Sequence, residues 1–209
     1  MTTLLVTGFG PFPGAPFNPT TPLVKRLARI RRPGLADVRI VGHVFSTSYA
    51  AVDRELPQLI AHHKPDALLM FGLATRAKRV RIETRARNAL ALLPDVKGAT
   101  VHKAKIAPGG PASLTMPAPM MRLLSAARTS RVPTILSRDA GRYLCNYLCW
   151  RAAEAAATKG GPRLAAFIHV PPVARVQRPR RPGKCRLSHN DLARTATSLL
   201  MALAAATRR

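Results

Sequence analysis

Cysteine is scarce in this chain, with three in 209 residues. That is too few for a disulfide scaffold, and the odd number points to reduced thiols and a cytoplasmic protein. Aromatic residues make up only 5% of the sequence and are not interleaved with the basic clusters, which removes the stacking platforms of single-strand nucleic-acid binders. No apolar run reaches the roughly 18 residues of a membrane span, so no membrane partner is expected. The opening stretch, MTTLLVTGFGPFPG, has no basic flank, and its apolar part is shorter than the core of a secretion signal. Acids are sparse too: nine stand against 34 lysines and arginines, for a formal net charge of +25. Such a balance favours polyanions. Yet zinc-finger spacing and RNP-like motifs are missing, so nucleic acid is expected only through non-specific basic charge. A solvated basic face is the simpler reading.

The chain is 47% hydrophobic, too much for a disordered basic tail. Its length suits one domain, 1–209, able to bury roughly 70% of its unfolded surface. Apolar runs alternate with helix-length segments. Residues 4–7 read as a strand leaving into Gly8 and Gly10. Leu23, Val24, Leu27 and Ile30 are spaced for a helix over 20–32, stopped by Pro33-Gly34. Strands are expected at 38–45, 67–71, 132–136 and 164–170, and helices at 49–63, 117–128 and 143–158. Over 80–86, Val80, Ile82, Thr84 and Ala86 share one strand face and Arg81, Glu83, Arg85 and Arg87 the other. Residues 89–116, with three prolines and a glycine pair, form a long irregular excursion. A basic Pro/Arg loop spans 173–187, and Ser188 with Asp191 three residues on caps a C-terminal helix, 188–206. Alternating strands and helices predict an α/β fold with a mostly parallel twisted sheet covered on both faces.

Three places offer chemistry. Cys145 falls where a Gly-containing turn, Ser137-Arg-Asp-Ala-Gly141, enters an alanine-rich helix. Unpaired N–H groups there favour a thiolate and could hold an oxyanion during acyl transfer. By position alone, however, a free cysteine more simply packs in the core, as Cys149 one turn on is expected to do. Cys185 stays unassigned. His169 ends a strand, where α/β sheets collect ligands, and could serve as a base; an edge histidine bonded to backbone explains it equally well. Glu83 sits alone among Arg76, Lys78, Arg79, Arg81, Arg85 and Arg87. A strand-face ion pair accounts for it most simply; turned into a cleft, it would orient a histidine. Gly8-Phe-Gly10 lacks the third glycine of a dinucleotide fingerprint, a Walker loop is missing, and no cysteine or histidine pair has zinc spacing. Neither a cofactor nor a metal is expected.

Five segments in order extend this reading: Leu5-Val-Thr-Gly-Phe-Gly-Pro-Phe12 with Asn18-Pro19; Gly72-Leu-Ala74 leading to Glu83, Ala86 and Asn88; Gly110-Pro-Ala112 with Thr115-Met-Pro117; Ser137, Ala140-Gly141, Tyr143 and Cys145-Asn146; and Phe167-Ile-His-Val-Pro171. Together, over roughly residues 4–172, they resemble the pyroglutamyl-peptidase I family of cysteine peptidases. The resemblance implies a single three-layer α/β/α domain, commonly a homo-oligomer, that removes N-terminal L-pyroglutamate from peptides through an acyl-enzyme. It implies Cys145, His169 and Glu83 as nucleophile, base and orienting acid, and Phe9, Phe12, Asn18, Leu73, Tyr143 and Leu144 around the lactam ring. The chain departs from the family pattern at Thr75-Arg76, Thr84 and Val96, is shorter between Asn88 and Gly98 and between Gly110 and Pro117, and matches poorly beyond residue 172. Two other expectations stand beside this one: a catalytically silent member binding anionic partners through arginine-rich faces, and a thiol amidase for another small acyl amide.

Overall fold

Leucine- and valine-rich runs form strands here because both of their faces find apolar partners. The computed structural model describes residues 1–173 and 187–208. Strands β1 (Thr2–Phe9), β2 (Val38–Phe45), β3 (Ala67–Leu73), β4 (Val80–Glu83), β7 (Thr134–Ser137) and β8 (Leu164–Val170) make one sheet in the order β2-β1-β3-β8-β4-β7. A two-stranded antiparallel ribbon pairs β5 (Arg85–Arg87) with β6 (Ser113–Thr115). The helices are α1 (Thr20–Ala28), α2 (Tyr49–His63), α3 (Met120–Arg128), α4 (Leu144–Ala157) and α5 (His189–Thr207). Among the described residues, no helix is long and apolar enough to cross a membrane.

The sheet is mostly parallel, as expected. β2, β1, β3 and β8 run together, while β4 is antiparallel to β8 and parallel to β7. Two cores cover its faces. Leu4, Val6, Leu69, Phe71, Ile82 and Ile168 point to the layer of α1, α3 and α5. Leu5, Leu68, Met70, Ala165 and Phe167 point to the layer of α2 and α4. This period of two decides which side chains can meet below α4.

Several boundaries differ from the sequence expectation, and proline accounts for most of them. α1 stops at Ala28 rather than Arg32: Arg29 already leaves helical space at φ −102°, ψ 1°, and Arg32, before Pro33, is held extended at φ −145°, ψ 143°. α3 begins at Met120 rather than at Pro117, since Pro117 and Pro119 restrict Met116 and Ala118 in the same way. β7 begins after Pro133, which has no N–H for the ladder. The alternating run 80–86 is not one strand. It breaks at Thr84, whose N–H and hydroxyl both donate to the Ser137 carbonyl, at 2.7 and 2.9 Å, and β5 then leaves to pair with β6. Of the expected basic loop at 173–187, residues 174–186, with Cys185, lie outside the described residues.

The C-terminal helix starts as expected, one residue later. Ser188 Oγ accepts from the Asp191 N–H at 3.1 Å and Asp191 Oδ2 accepts from the Ser188 N–H at 3.0 Å, a reciprocal cap. Replacing Ser188 by alanine leaves both Asp191 partners weakened, and the variant should lose about 1 kcal/mol of stability. Urea denaturation should show a lower midpoint at unchanged slope; an unchanged midpoint would mean that the tertiary packing of α5 needs no cap.

Candidate active site

Sheet register assembles the site. On β8, Phe167 packs under α4, so His169, two residues on, faces the same layer. On β4, Val80 and Ile82 face the opposite layer, which turns Arg81 and Glu83 toward α4. Because β4 runs against β8 with Glu83 opposite Phe167 and Arg81 opposite His169, Glu83 and His169 become diagonal neighbours. The His169 Nδ1–H donates to Glu83 Oε1 at 2.8 Å. Glu83 is fully buried, its Oε2 lacks a hydrogen-bond partner among the described residues, and His169 is only 6% exposed. Reading Glu83 as a strand-face ion pair with its arginine neighbours is therefore wrong: both faces of β4 are covered, and the carboxylate answers an imidazole.

The third group comes from α4. Cys145 is the second residue of that helix and is partly exposed. The helix enters from Tyr143, extended at φ −108°, ψ −160°, with no side chain capping the first turn, so its N–H groups are open to a ligand. The turn before it needs a left-handed residue, Gly141 at φ +84°, with Asp139 Oδ1 accepting from the Gly141 N–H at 3.0 Å. Under the thiol lies Gly72, in register with His169 on β3. A Cβ at Gly72 would come within 2.7 Å of Cys145 Sγ and 2.7 Å of Phe167 Cζ, so glycine is what lets the thiol settle onto the sheet. Asn146, next along the helix and fully buried, clamps the neighbouring segment: its Oδ1 accepts from the Arg87 N–H at 2.8 Å and its Nδ2 donates to the Arg87 and Ala89 carbonyls at 2.8 and 3.0 Å.

Cys145 and His169 line one cavity, close enough for the sulfur to act on the imidazole's proton affinity. Burial would lower the pKa of His169. The charge of a Cys145 thiolate and the bond to it, followed by the bond and charge of Glu83, outweigh burial and push it up to about 9. Protonation of His169 is thus favoured beside the buried Glu83. Burial pushes the thiol of Cys149 well above its usual range, in keeping with the packing role expected of it.

A cavity of about 360 Å³ opens over these groups. Phe9, Phe12, Asn18, Leu73, Tyr143 and Leu144 all line it, together with Cys145 and His169. Phe9 and Leu144 are buried and Phe12 is half-buried, giving the cavity an apolar wall. Asn18 has less to offer a ligand than its place suggests. Its Nδ2 donates to the Gly10 carbonyl at 3.0 Å and its Oδ1 accepts from the Thr20 N–H and hydroxyl at 3.1 and 2.9 Å, so it mainly braces the loop. Tyr143 likewise gives its hydroxyl to the Pro94 carbonyl at 2.8 Å and anchors the irregular excursion. Residues that sequence reasoning did not assign also line the cavity, among them Thr47, Arg76, Arg81, Asp139 and Arg142. For Arg81 a signal existed, since it shares a strand face with Glu83. A wider cleft of about 1140 Å³ between α1, the turn after α3 and α5 is lined, among the described residues, by neither cysteine nor histidine. Thiol, imidazole, carboxylate and uncapped N–H groups in one cavity can deliver a sulfur nucleophile to a carbonyl carbon and hold the oxyanion that forms.

Comparison with known proteins agrees with this chemistry. A family model described as pyroglutamyl peptidase matches residues 2–204, reaching well past the motif-bearing segment into α5. The pyrrolidone-carboxylate peptidase of Pyrococcus furiosus is 34% identical over 169 residues, 80% of each chain. Pyrrolidone-carboxylate peptidase 1 of Ralstonia nicotianae is 30% identical over 193 residues, 92% of this chain and 88% of that one. A crystal structure of the Pyrococcus furiosus pyrrolidone carboxyl peptidase superposes with a TM-score of 0.86 at 27% identity, covering 99% of this chain and 100% of the other.

The contact below the thiol is open to a direct test. Gly72→Ala should cost about 1–3 kcal/mol through overpacking, read as a lower melting temperature. It should also slow alkylation of Cys145 by iodoacetamide at pH 7 about tenfold, because the displaced sulfur loses its imidazolium neighbour. Alkylation at the wild-type rate would show that the close approach of Gly72 does not set the thiol's position.

Proposed function

This chain belongs to the pyroglutamyl peptidase family, and we propose that Cys145, His169 and Glu83 carry its hydrolysis of the amide bond after an N-terminal L-pyroglutamyl residue. The observation that supports these roles is the imidazole of His169, bonded at 2.8 Å to Glu83 and lining the same cavity as the Cys145 thiol. Pyroglutamate has no free amine, so an enzyme cannot grip it by an N-terminal ammonium. A flat neutral lactam suits an apolar slot, and Phe9, Phe12, Leu73, Tyr143 and Leu144 supply one.

The reaction follows from that placement. Glu83 fixes the Nδ1–H tautomer, which leaves Nε2 to take the thiol proton. The Cys145 thiolate attacks the pyroglutamyl carbonyl carbon, and the first-turn N–H groups of α4 hold the oxyanion. As the tetrahedral adduct collapses, the C–N bond breaks and the imidazolium gives its proton to the leaving amine. Water, losing a proton to His169, then cleaves the thioester, releasing pyroglutamate and restoring the thiol. A silent binder of anions would have no use for a nucleophile held against its base. The need for a reduced Cys145 supports a cytoplasmic location. β1 and β8, from distant parts of the chain, share one sheet, which supports a single peptidase domain.

Release of aminomethylcoumarin from a pyroglutamyl-coumarin amide tests the roles. Cys145→Ala and His169→Ala should abolish it, and persistent turnover in Cys145→Ala would overturn the reading. In the wild type, kcat/KM should fall as pH rises through about 9, where His169 loses the proton that the leaving amine needs. Glu83 raises that pKa, so Glu83→Gln should move the alkaline limb to lower pH. The same variant should lower kcat on the order of 10²-fold or more with little change in KM. An unmoved limb with full kcat would leave Glu83 a structural residue only.

A further inference from the structure

The leaving half of the substrate has its own surroundings, and they are positively charged. His169 must hand its proton to the departing amine, so the residue after pyroglutamate lies on the His169 side of the cavity. Directly opposite His169 in the strand ladder is Arg81, on the same face of β4 as Glu83 and lining the same cavity. Arg76, on the segment leaving β3, and Arg142, just before Tyr143, line it as well. Arg81 is half-buried, and Arg76 and Arg142 are exposed. Among the described residues, neither Arg76 nor Arg81 has an ion-pair partner.

Asp139, the acid that lines the cavity among the described residues, is already engaged. Its Oδ1 accepts from Arg87 at 3.2 Å and from the Gly141 N–H at 3.0 Å. Burial would raise its carboxyl, but that N–H bond and the Arg87 and Arg142 guanidiniums hold it below the usual range. Glu83 is likewise taken up by His169. Among the described residues, the guanidiniums of Arg76 and Arg81 therefore remain without an ion-pair partner beside the point where the leaving group departs.

Resting on the peptidase reading, we propose that this side of the cavity selects peptides in which the residue following pyroglutamate carries a carboxylate, with Arg81 and Arg76 as its partners. The carboxylate is either the side chain of an aspartate or glutamate or the C-terminus of a pyroglutamyl dipeptide. An arginine fork suits either source, since each presents the same planar pair of oxygens. A lysine in the same place would be repelled.

Competition between matched peptides tests this. For pGlu-Glu-Ala-amide, pGlu-Gln-Ala-amide and pGlu-Lys-Ala-amide, kcat/KM should fall in that order, with about a fivefold step from Glu to Gln in low salt. The step should shrink toward one as salt is raised. In the Arg76→Ala/Arg81→Ala double variant the Glu-to-Gln ratio should approach one in low salt too. The dipeptide pGlu-Ala set against pGlu-Ala-amide separates the sources: a preference for the free acid without a preference for Glu assigns the site to the chain terminus. Equal kcat/KM for all wild-type pairs would overturn the selectivity and leave the peptidase intact. Failure to cleave any of the peptides would overturn both.

Discussion

The bond between His169 and Glu83 is the constraint on which the rest of the site depends. A fully buried carboxylate with one oxygen lacking a partner among the described residues is costly, and it is retained because a cation-forming group meets its other oxygen at 2.8 Å. That pairing orients the imidazole and raises its proton affinity. It also needs β4 to run against β8, since only this register brings position 83 diagonally beside position 169. The reversal of β4 and β7 at one edge of an otherwise parallel sheet is thus a condition of the chemistry as well as a detail of topology.

Around this pair, small and polar residues set distances. Gly72 lets the sulfur rest on the sheet, Gly141 turns the chain into α4, and Asn146 ties the first turn of that helix to residues 87–89. Asn88 does the same one step away: its Nδ2 donates to the carbonyls of Ala107 and Pro111 at 2.7 and 3.0 Å, and its Oδ1 accepts from the Ala107 N–H at 2.9 Å. The long excursion between β5 and β6 is held by these side-chain amides, by backbone bonds such as Leu90 N–H to the Ala104 carbonyl and Val96 N–H to the Thr47 carbonyl, and by the Asp95 carboxylate, which takes the N–H groups of Tyr49, Lys97 and Ala99. A segment so poor in secondary structure can border a cavity because its backbone groups have been given partners one by one.

The excess of basic residues bears on the site locally more than globally. Most arginines stand on solvated faces, where ion pairs contribute little. At the cavity, half-buried Arg81 and exposed Arg76 line the same space as His169, so the proposed selectivity rests on charge placed locally.

Much of the fold was legible in the residues. The strands at 38–45 and 164–170 and the helix at 49–63 match expectation residue for residue: 164–170 is a continuous buried apolar run, 38–45 is rich in β-branched residues though only partly buried, and 49–63 carries a helical apolar pattern. The Ser188–Asp191 cap was equally plain. Departures came at Pro33, Pro117, Pro119 and Pro133, where backbone restriction overrode the apolar pattern, and at Thr84, where a bond to Ser137 ended a strand that alternation alone would have continued. Local chemistry by itself thus determined most element boundaries and which side chains face inward, because those properties depend mainly on neighbours a few positions away; the break at Thr84, set by a partner 53 residues on, is the exception. Only the tertiary structure decided that Glu83 answers His169 across 86 residues of chain, that Cys145 lies over Gly72, and that Arg81 borders the cavity. Strand order and direction set those meetings, and they arise from the packing of the whole sheet, which no short stretch of sequence encodes.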